Sequence, residues 1–194
     1  MANIAELLEH ARRLGASEAV LLLTEELVIK EELAARCLEP RCDNYGLSPG
    51  CPPHTSGPHG FRQLLTGYEW ILFFHIKVPA HVLYSSGNRE LFQLLHEVAA
   101  GIEGEAHYLG WSRARAFAGD SCKRLFCEEQ KECPALSPGG TCRFPQLARP
   151  SMSGYGIDVG HLMRRAGWDQ RMGKLAGDGG QDGNASVCGL VLLY

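Results

Sequence analysis

Apolar positions along the chain switch between helical and strand periods, and the switches mark the elements. Ile4, Leu7, Leu8, Ala11 and Leu14 recur at three- and four-residue intervals, one face of a helix. Asn3 with Glu6 three residues on has the form of a capping box, and Gly15 supplies the stop. Ala19 to Leu23 is a continuous apolar run, which predicts an interior strand. Leu27 and Ile29 alternate imperfectly with Glu26, Val28 and Lys30, and predict a second, short strand. A short helix is expected around Phe61 to Leu65. Tyr68 to Val78 carries the strongest strand signal, dense in aromatic and β-branched residues, and Pro79 ends it. Ser86 is placed to cap a long helix with Leu91, Leu94, Leu95, Val98, Ala99 and Ile102 on one face. Gly101 and Gly104 weaken its last turns. Arg113 to Ala118 alternates charge with small apolar residues and reads as a strand. Ile157 to Trp168 reads as a helix with Val159, Leu162, Met163 and Ala166 inward. The glycine- and aspartate-rich stretch 177–184 is a flexible connector that lacks the oxygen spacing of an EF-hand. Val187 to Tyr194 closes the chain as an apolar strand of the kind paired within a sheet.

Helices interleaved with about five strands predict an α/β fold, with α+β as the alternative. The expected architecture is a single mixed sheet with helices packed on it and two cysteine-rich metal-binding loops hanging from strand ends. At 194 residues the chain is long enough for one well-buried core, so residues 1–194 are expected to form a single metal-binding domain.

Composition narrows the function classes. The 45% apolar content is that of a globular chain, and the formal charge of -3 comes without a basic run or polybasic tail, which argues against nucleic acid as a partner. The longest apolar run, Trp70 to Ala80, is broken by His75 and Lys77 and falls far short of a membrane span. The N-terminus lacks the basic, apolar and cleavage regions of a secretory signal. A cytoplasmic protein is therefore expected, where thiols stay reduced and clustered cysteines bind metal more often than they pair.

The cysteines change the picture most. Seven of the eight fall in two turn-rich clusters, Cys37-x4-Cys42-x8-Cys51-Pro52-Pro53 and Cys122-x4-Cys127-x5-Cys133-Pro134-x8-Cys142. A disulfide framework is the plain alternative for an even number of cysteines. Thiolates are soft ligands that select zinc or iron–sulfur clusters over magnesium or calcium. A four-cysteine zinc site usually uses close pairs, C-x2-4-C, repeated after a longer gap. The x4 gaps here occur in both classes, whereas the wider spread, with proline directly after Cys51 and Cys133, suits an iron–sulfur cluster. Cys122, Cys127, Cys133 and Cys142 make a complete four-thiolate set. Cys37, Cys42 and Cys51 make only three, with His54 the nearest candidate for an extra ligand. Cys188 lies in an apolar strand and reads as a structural thiol. Tyr45 and Tyr155, each before a glycine, are placed to pack over the loops. No nucleophile elbow, P-loop, dinucleotide fingerprint or HExxH motif is present, and no catalytic residue is singled out.

These motifs resemble the family of predicted metal-binding proteins catalogued as domain of unknown function 2284. The residues carrying the resemblance are Cys37-x4-Cys42-x2-Tyr45-Gly46-x4-Cys51-Pro52-Pro53, the second cysteine series, Ala148-Arg149-Pro150-Ser151-Met152, Tyr155-Gly156-Ile157-Asp158-Val159 and Gly189-Leu190-Val191-Leu192. The family is typical of anaerobic bacteria and archaea. The resemblance implies metal ligation at Cys37, Cys42, Cys51, Cys122, Cys127, Cys133 and Cys142, and it names no reaction.

Three functions follow as expectations. The first is an iron–sulfur protein, [4Fe-4S] in type with one or two clusters, serving electron transfer or an accessory redox role in anaerobic metabolism with a redox partner protein. The second is a zinc-binding structural or adaptor protein. The third is an enzyme whose open iron–sulfur site binds a small molecule. Arg143, Arg149, Arg164, Arg165 and Arg171 follow the second cluster as a locally basic group, a candidate docking face for an acidic partner or a phosphate.

Overall fold

The structure is a computed structural model describing residues 4–168 and 183–194. Asn3, Arg171 and most of the 177–184 stretch lie outside the described residues. Four strands, β1 (Glu18–Leu23), β2 (Trp70–Pro79), β3 (Arg115–Phe117) and β4 (Asn184–Leu193), form one sheet in the order β1-β2-β4-β3. Every neighbouring pair is antiparallel. Two expectations are corrected here. Four strands form among the described residues instead of about five, because Leu27 to Ile29 contributes only an isolated bridge from Ile29 to Ile157. The sheet is antiparallel rather than mixed.

The pairing follows from side-chain alternation. β2 and β4 are matched over ten residues, from Trp70 opposite Leu193 to Pro79 opposite Asn184. Alternate residues of a strand face opposite sides, so Leu72, Phe74 and Ile76 face one layer while Ile71 and Phe73 face the other. A sheet covered on both faces needs apolar residues at successive positions, which is why these strands read as unbroken apolar runs. On one face pack helices α1 (Ile4–Arg13) and α5 (Asn88–Tyr108). The other face is covered by α3 (Gly57–Leu65), the turn Met152–Tyr155 and α7 (Val159–Arg165). The short helices α2 (Glu31–Ala35), α4 (Ala80–Leu83) and α6 (Cys122–Phe126) bring the total to seven among the described residues.

α5 begins after Gly87 rather than at a Ser86 cap, and it runs through Gly101 and Gly104 to Tyr108. Tertiary packing against α1 and the sheet outweighs the low helix propensity of two glycines. On the opposite face, Phe61, Phe117 and Tyr155 form an aromatic triad with ring centroids 4.9 to 5.3 Å apart. It joins α3, β3 and the 152–155 turn beneath the cysteine region. His75 is buried in the sheet, where its Nδ1 shares a 2.8 Å hydrogen bond with Ser186.

Gly189 marks the tightest point of the sheet. A Cβ there would sit 2.5 Å from Phe74 Cζ and 3.1 Å from the Phe117 carbonyl oxygen. Phe74 is fully buried and cannot swing clear. Gly189→Ala is therefore expected to destabilise the protein by about 1–3 kcal/mol through overpacking, seen as a lower urea midpoint. An unchanged midpoint would show that the Phe74 ring has room that its surroundings do not reveal.

Candidate metal centre

The first cysteine loop fills much of the connection from α2 to α3. The second begins where β3 ends. They meet at one extended segment, 149–152. Ala118, just past β3, donates its N–H to Pro150 O at 3.0 Å and accepts from Met152 N–H at 2.9 Å. Ser151 N–H donates to Gly50 O at 3.0 Å, which binds the first loop to the same segment. The approach is close and suits glycine: a Cβ on Gly50 would stand 3.2 Å from Pro150 Cα. His96 of α5 adds a third tie. Its Nε2 bonds Gly119 O at 3.0 Å, and its Nδ1 accepts the Arg149 N–H at 3.1 Å. That pattern fixes a neutral ring with the proton on Nε2. Burial holds its pKa below the usual histidine value, although the Gly119 carbonyl acts in the opposite direction.

These ties bring the two cysteine series side by side. All eight cysteines are free thiols, so the structure contains no disulfide framework. Cys37, Cys42 and Cys51 line one cleft of about 460 Å³ together with Tyr45, Asp120, Ser121 and Asp158. Cys122, Cys127, Cys133 and Cys142 line a separate space of about 20 Å³. Cys122 lies near enough to Cys51 for the two to interact electrostatically, which makes Cys51 the link between the sets. Burial pushes the Cys122 thiol up to about 11, while the adjacent Ser48 hydroxyl lowers it and Cys51, Cys142 and Cys133 raise it further. Burial and then Cys42 and Cys51 raise Cys37. Among the described residues no three Cys, His, Asp or Glu side chains stand close enough to grip a single ion.

Two features nevertheless fit an anionic metal–sulfur group. The first is Lys123, which is buried beside the four-thiol space and has no carboxylate partner among the described residues. Its Nζ donates to Cys127 O at 2.8 Å and Gln130 O at 2.6 Å. A buried ammonium is costly unless negative charge lies nearby, and four thiolates supply it. The second is a concentration of buried polar atoms without partners. Ser48 Oγ, Thr55 Oγ1, Ser121 Oγ and Arg149 Nε all belong to the cysteine region. Buried polar groups are nearly always satisfied, so such a grouping points to a bound species that these atoms would face.

Asp120 and Asp158 were not singled out as site residues in the sequence, although each lies in or beside a motif. Asp120 takes a left-handed φ of 64° just before Cys122, and Arg124 holds its carboxylate through Nε at 2.8 Å. Asp158 caps α7 through the His161 N–H at 2.9 Å and pairs with Lys30 at 2.9 Å. Burial raises the Asp158 pKa, but the Lys30 and His161 hydrogen bonds prevail and lower it. His54 does not line the three-thiol cleft. It bonds Gly46 O at 3.2 Å and borders a different cleft. Cys188 packs against Met163, and burial pushes it up to about 12. Among the described arginines of that group, Arg149 turns inward to Glu103 and Arg165 pairs with Glu26.

The fold and site define a mixed α/β protein with one antiparallel four-strand sheet and two neighbouring sets of free cysteines. The chain belongs to the family of predicted metal-binding proteins DUF2284, whose model matches residues 20–193. No curated protein and no solved structure matches it. Among the described residues no helix is long and apolar enough to cross a membrane.

Two outcomes follow. In the reduced, metal-free protein, alkylation should reach exposed Cys42 first and half-buried Cys122 and buried Cys188 last, because the thiolate is the reactive form and both of those thiols are pushed up. Mass spectrometry of timed samples would show the order, and early loss of Cys122 would contradict it. His96 has a folded pKa below its unfolded 6.5, so its stabilisation is present above that pH and lost as pH falls toward the folded value. Denaturation curves between about pH 7.5 and 5 should show His96→Gln about 1–3 kcal/mol less stable near neutrality and less sensitive to acid than the parent.

Proposed function

We propose that this protein is an iron–sulfur redox protein with two adjacent thiolate sites. In this reading Cys122, Cys127, Cys133 and Cys142 form a closed site, and Cys37, Cys42 and Cys51 form a site with a position open to a small molecule. The observation that carries it is the three-thiol cleft: about 460 Å³ shared with two carboxylates and Ser121. A simple electron carrier needs no such cleft, and its volume lies in the range of small-molecule sites. Clusters of this kind supply one-electron transfer, at potentials set by charge, sulfur hydrogen bonds and exposure.

The chain's own residues have definable roles. Lys123 offsets thiolate charge at the closed site. The Ser48 hydroxyl, buried beside Cys122 without a hydrogen-bond partner, would face its sulfur. Asp120 and Asp158, held by Arg124 and Lys30, orient a polar ligand at the cleft wall. Electrons would come from a redox partner protein. Metal binding would draw the thiols together, as sites with loop-borne ligands are seldom preformed.

A zinc reading of the four-thiol set has its own support, since a space of about 20 Å³ is nearer the size of one ion than of a cubane. That would make the second loop a structural clasp beside an iron-bearing first loop.

Anaerobic purification followed by iron and sulfide reconstitution separates these. Two cubanes should give more than about four irons per chain and a broad visible absorption bleached by dithionite. Cys37→Ala and Cys127→Ala should each remove part of that absorption, and Cys188→Ala none. Colourless protein that retains one zinc and takes up no iron would overturn the redox reading. If the closed site carries electrons, Lys123→Met should move its midpoint potential to more negative values, because removal of a nearby cation disfavours the reduced state.

A further inference from the structure

A second cleft, of about 580 Å³, lies on the other side of Cys122 and Cys142. Its character differs from that of the three-thiol cleft. Where that one carries Asp120 and Asp158, this one has no acidic residue among those lining it. Its walls include apolar Pro49, Pro145, Ala148 and Pro150, and its polar groups are those of His54, Thr55, Ser56, Arg115, Arg149 and Tyr155.

Arg115 is the important member. It opens β3, its guanidinium carbon is 5.6 Å from the Phe117 ring centroid, and it has no carboxylate partner among the described residues. It also lies close enough to Tyr155 to act on the phenol electrostatically. The ring of Tyr155 is fixed by Phe61 and Phe117, so its hydroxyl is presented from a rigid base. Arg149 is held by Glu103 at 2.6 Å and by the carbonyls of Pro145 and Ala148, which leaves Nε buried and unpartnered. Thr55 Oγ1 is likewise buried without a partner.

We infer that this cleft binds a small molecule through an oxyanion, a carboxylate or a phosphoryl group, with Arg115 as its principal charge partner and Tyr155, Thr55 and Arg149 as hydrogen-bond donors. An unpaired guanidinium is built for planar, bidentate recognition of such groups. The absence of any acid in the wall leaves its charge uncompensated. Two buried orphan polar atoms are the expected trace of a site whose ligand completes their bonding. The prolines and alanines provide the apolar surface that small-molecule clefts use for the remainder of a ligand. None of the anion-facing groups is a thiol, so the inference stands apart from the identity of the metal.

The test is calorimetric titration of the reduced full-length protein, metal-free, with inorganic phosphate in one arm and succinate in the other. Saturable one-site binding is expected in at least one arm, and the tighter probe identifies the oxyanion. Arg115→Gln should weaken that binding roughly tenfold or more, the loss of a charged hydrogen-bonding partner. Arg115→Lys should retain part of it. Arg12→Gln, in the last turn of α1 and outside the lining of both clefts, should leave it unchanged. Circular dichroism of each variant checks that the fold is kept. Failure of both probes to saturate would overturn the inference. So would undiminished binding by folded Arg115→Gln. Either result would leave the iron and zinc determinations untouched.

Discussion

The cysteine chemistry of this protein depends on a few backbone hydrogen bonds to one extended segment. Residues 149–152 are joined to Ala118 on one side and to Gly50 on the other, with His96 pinning Arg149 and Gly119 from below. Three thiols arrive from one part of the chain and four from another, and without this segment nothing would set them beside each other. Ala118, Ser151 and Met152 are buried, so losing their bonds would strand backbone groups away from water. That makes the arrangement an all-or-none feature of the fold rather than an adjustable loop contact. It also gives the glycine at position 50 a reason, since a Cβ there would crowd Pro150 Cα at 3.2 Å.

Charge then divides the region into distinct environments. Buried Lys123 places a cation against the four-thiol space with no carboxylate partner among the described residues. The three-thiol cleft has its carboxylates, each held by a basic neighbour. The third environment, around Arg115, has cations and no acid in its lining. Cys122 and Cys142 stand in the wall between the last of these and the four-thiol space. A metal–sulfur centre here would therefore have polar clefts on both flanks.

Much of the fold was legible in the sequence. The runs at Ala19–Leu23, Tyr68–Val78 and Val187–Tyr194 became β1, β2 and β4, because a sheet buried on both faces demands consecutive apolar residues. Leu27–Ile29 misled for a related reason: three apolar residues in five satisfy a short strand pattern, but only tertiary pairing decides whether a ladder forms. The long helix was placed correctly while its start was not, since Ser86 and Gly87 offer similar local signals. The thiol inventory, including the separate status of Cys188, was also legible, as residue type and spacing carry that information directly.

What the sequence could not supply was proximity between distant segments. His54 is three residues from Cys51 in the chain, yet it faces the arginine cleft, whereas Asp120, nearly seventy residues from Cys51, lines the cleft of the first three thiols. Spacing along a chain fixes neighbours only within an element or a tight turn. Everything beyond that is decided by which faces the sheet buries and which loops its edges bring together. The sequence by itself determined the clustered thiols and their division into a set of three and a set of four. Tertiary structure decided that the sets are adjacent, that a buried lysine accompanies one and carboxylates the other, and that an acid-free cleft opens beside them. Those properties arise from long-range hydrogen bonds and burial, which no local pattern encodes.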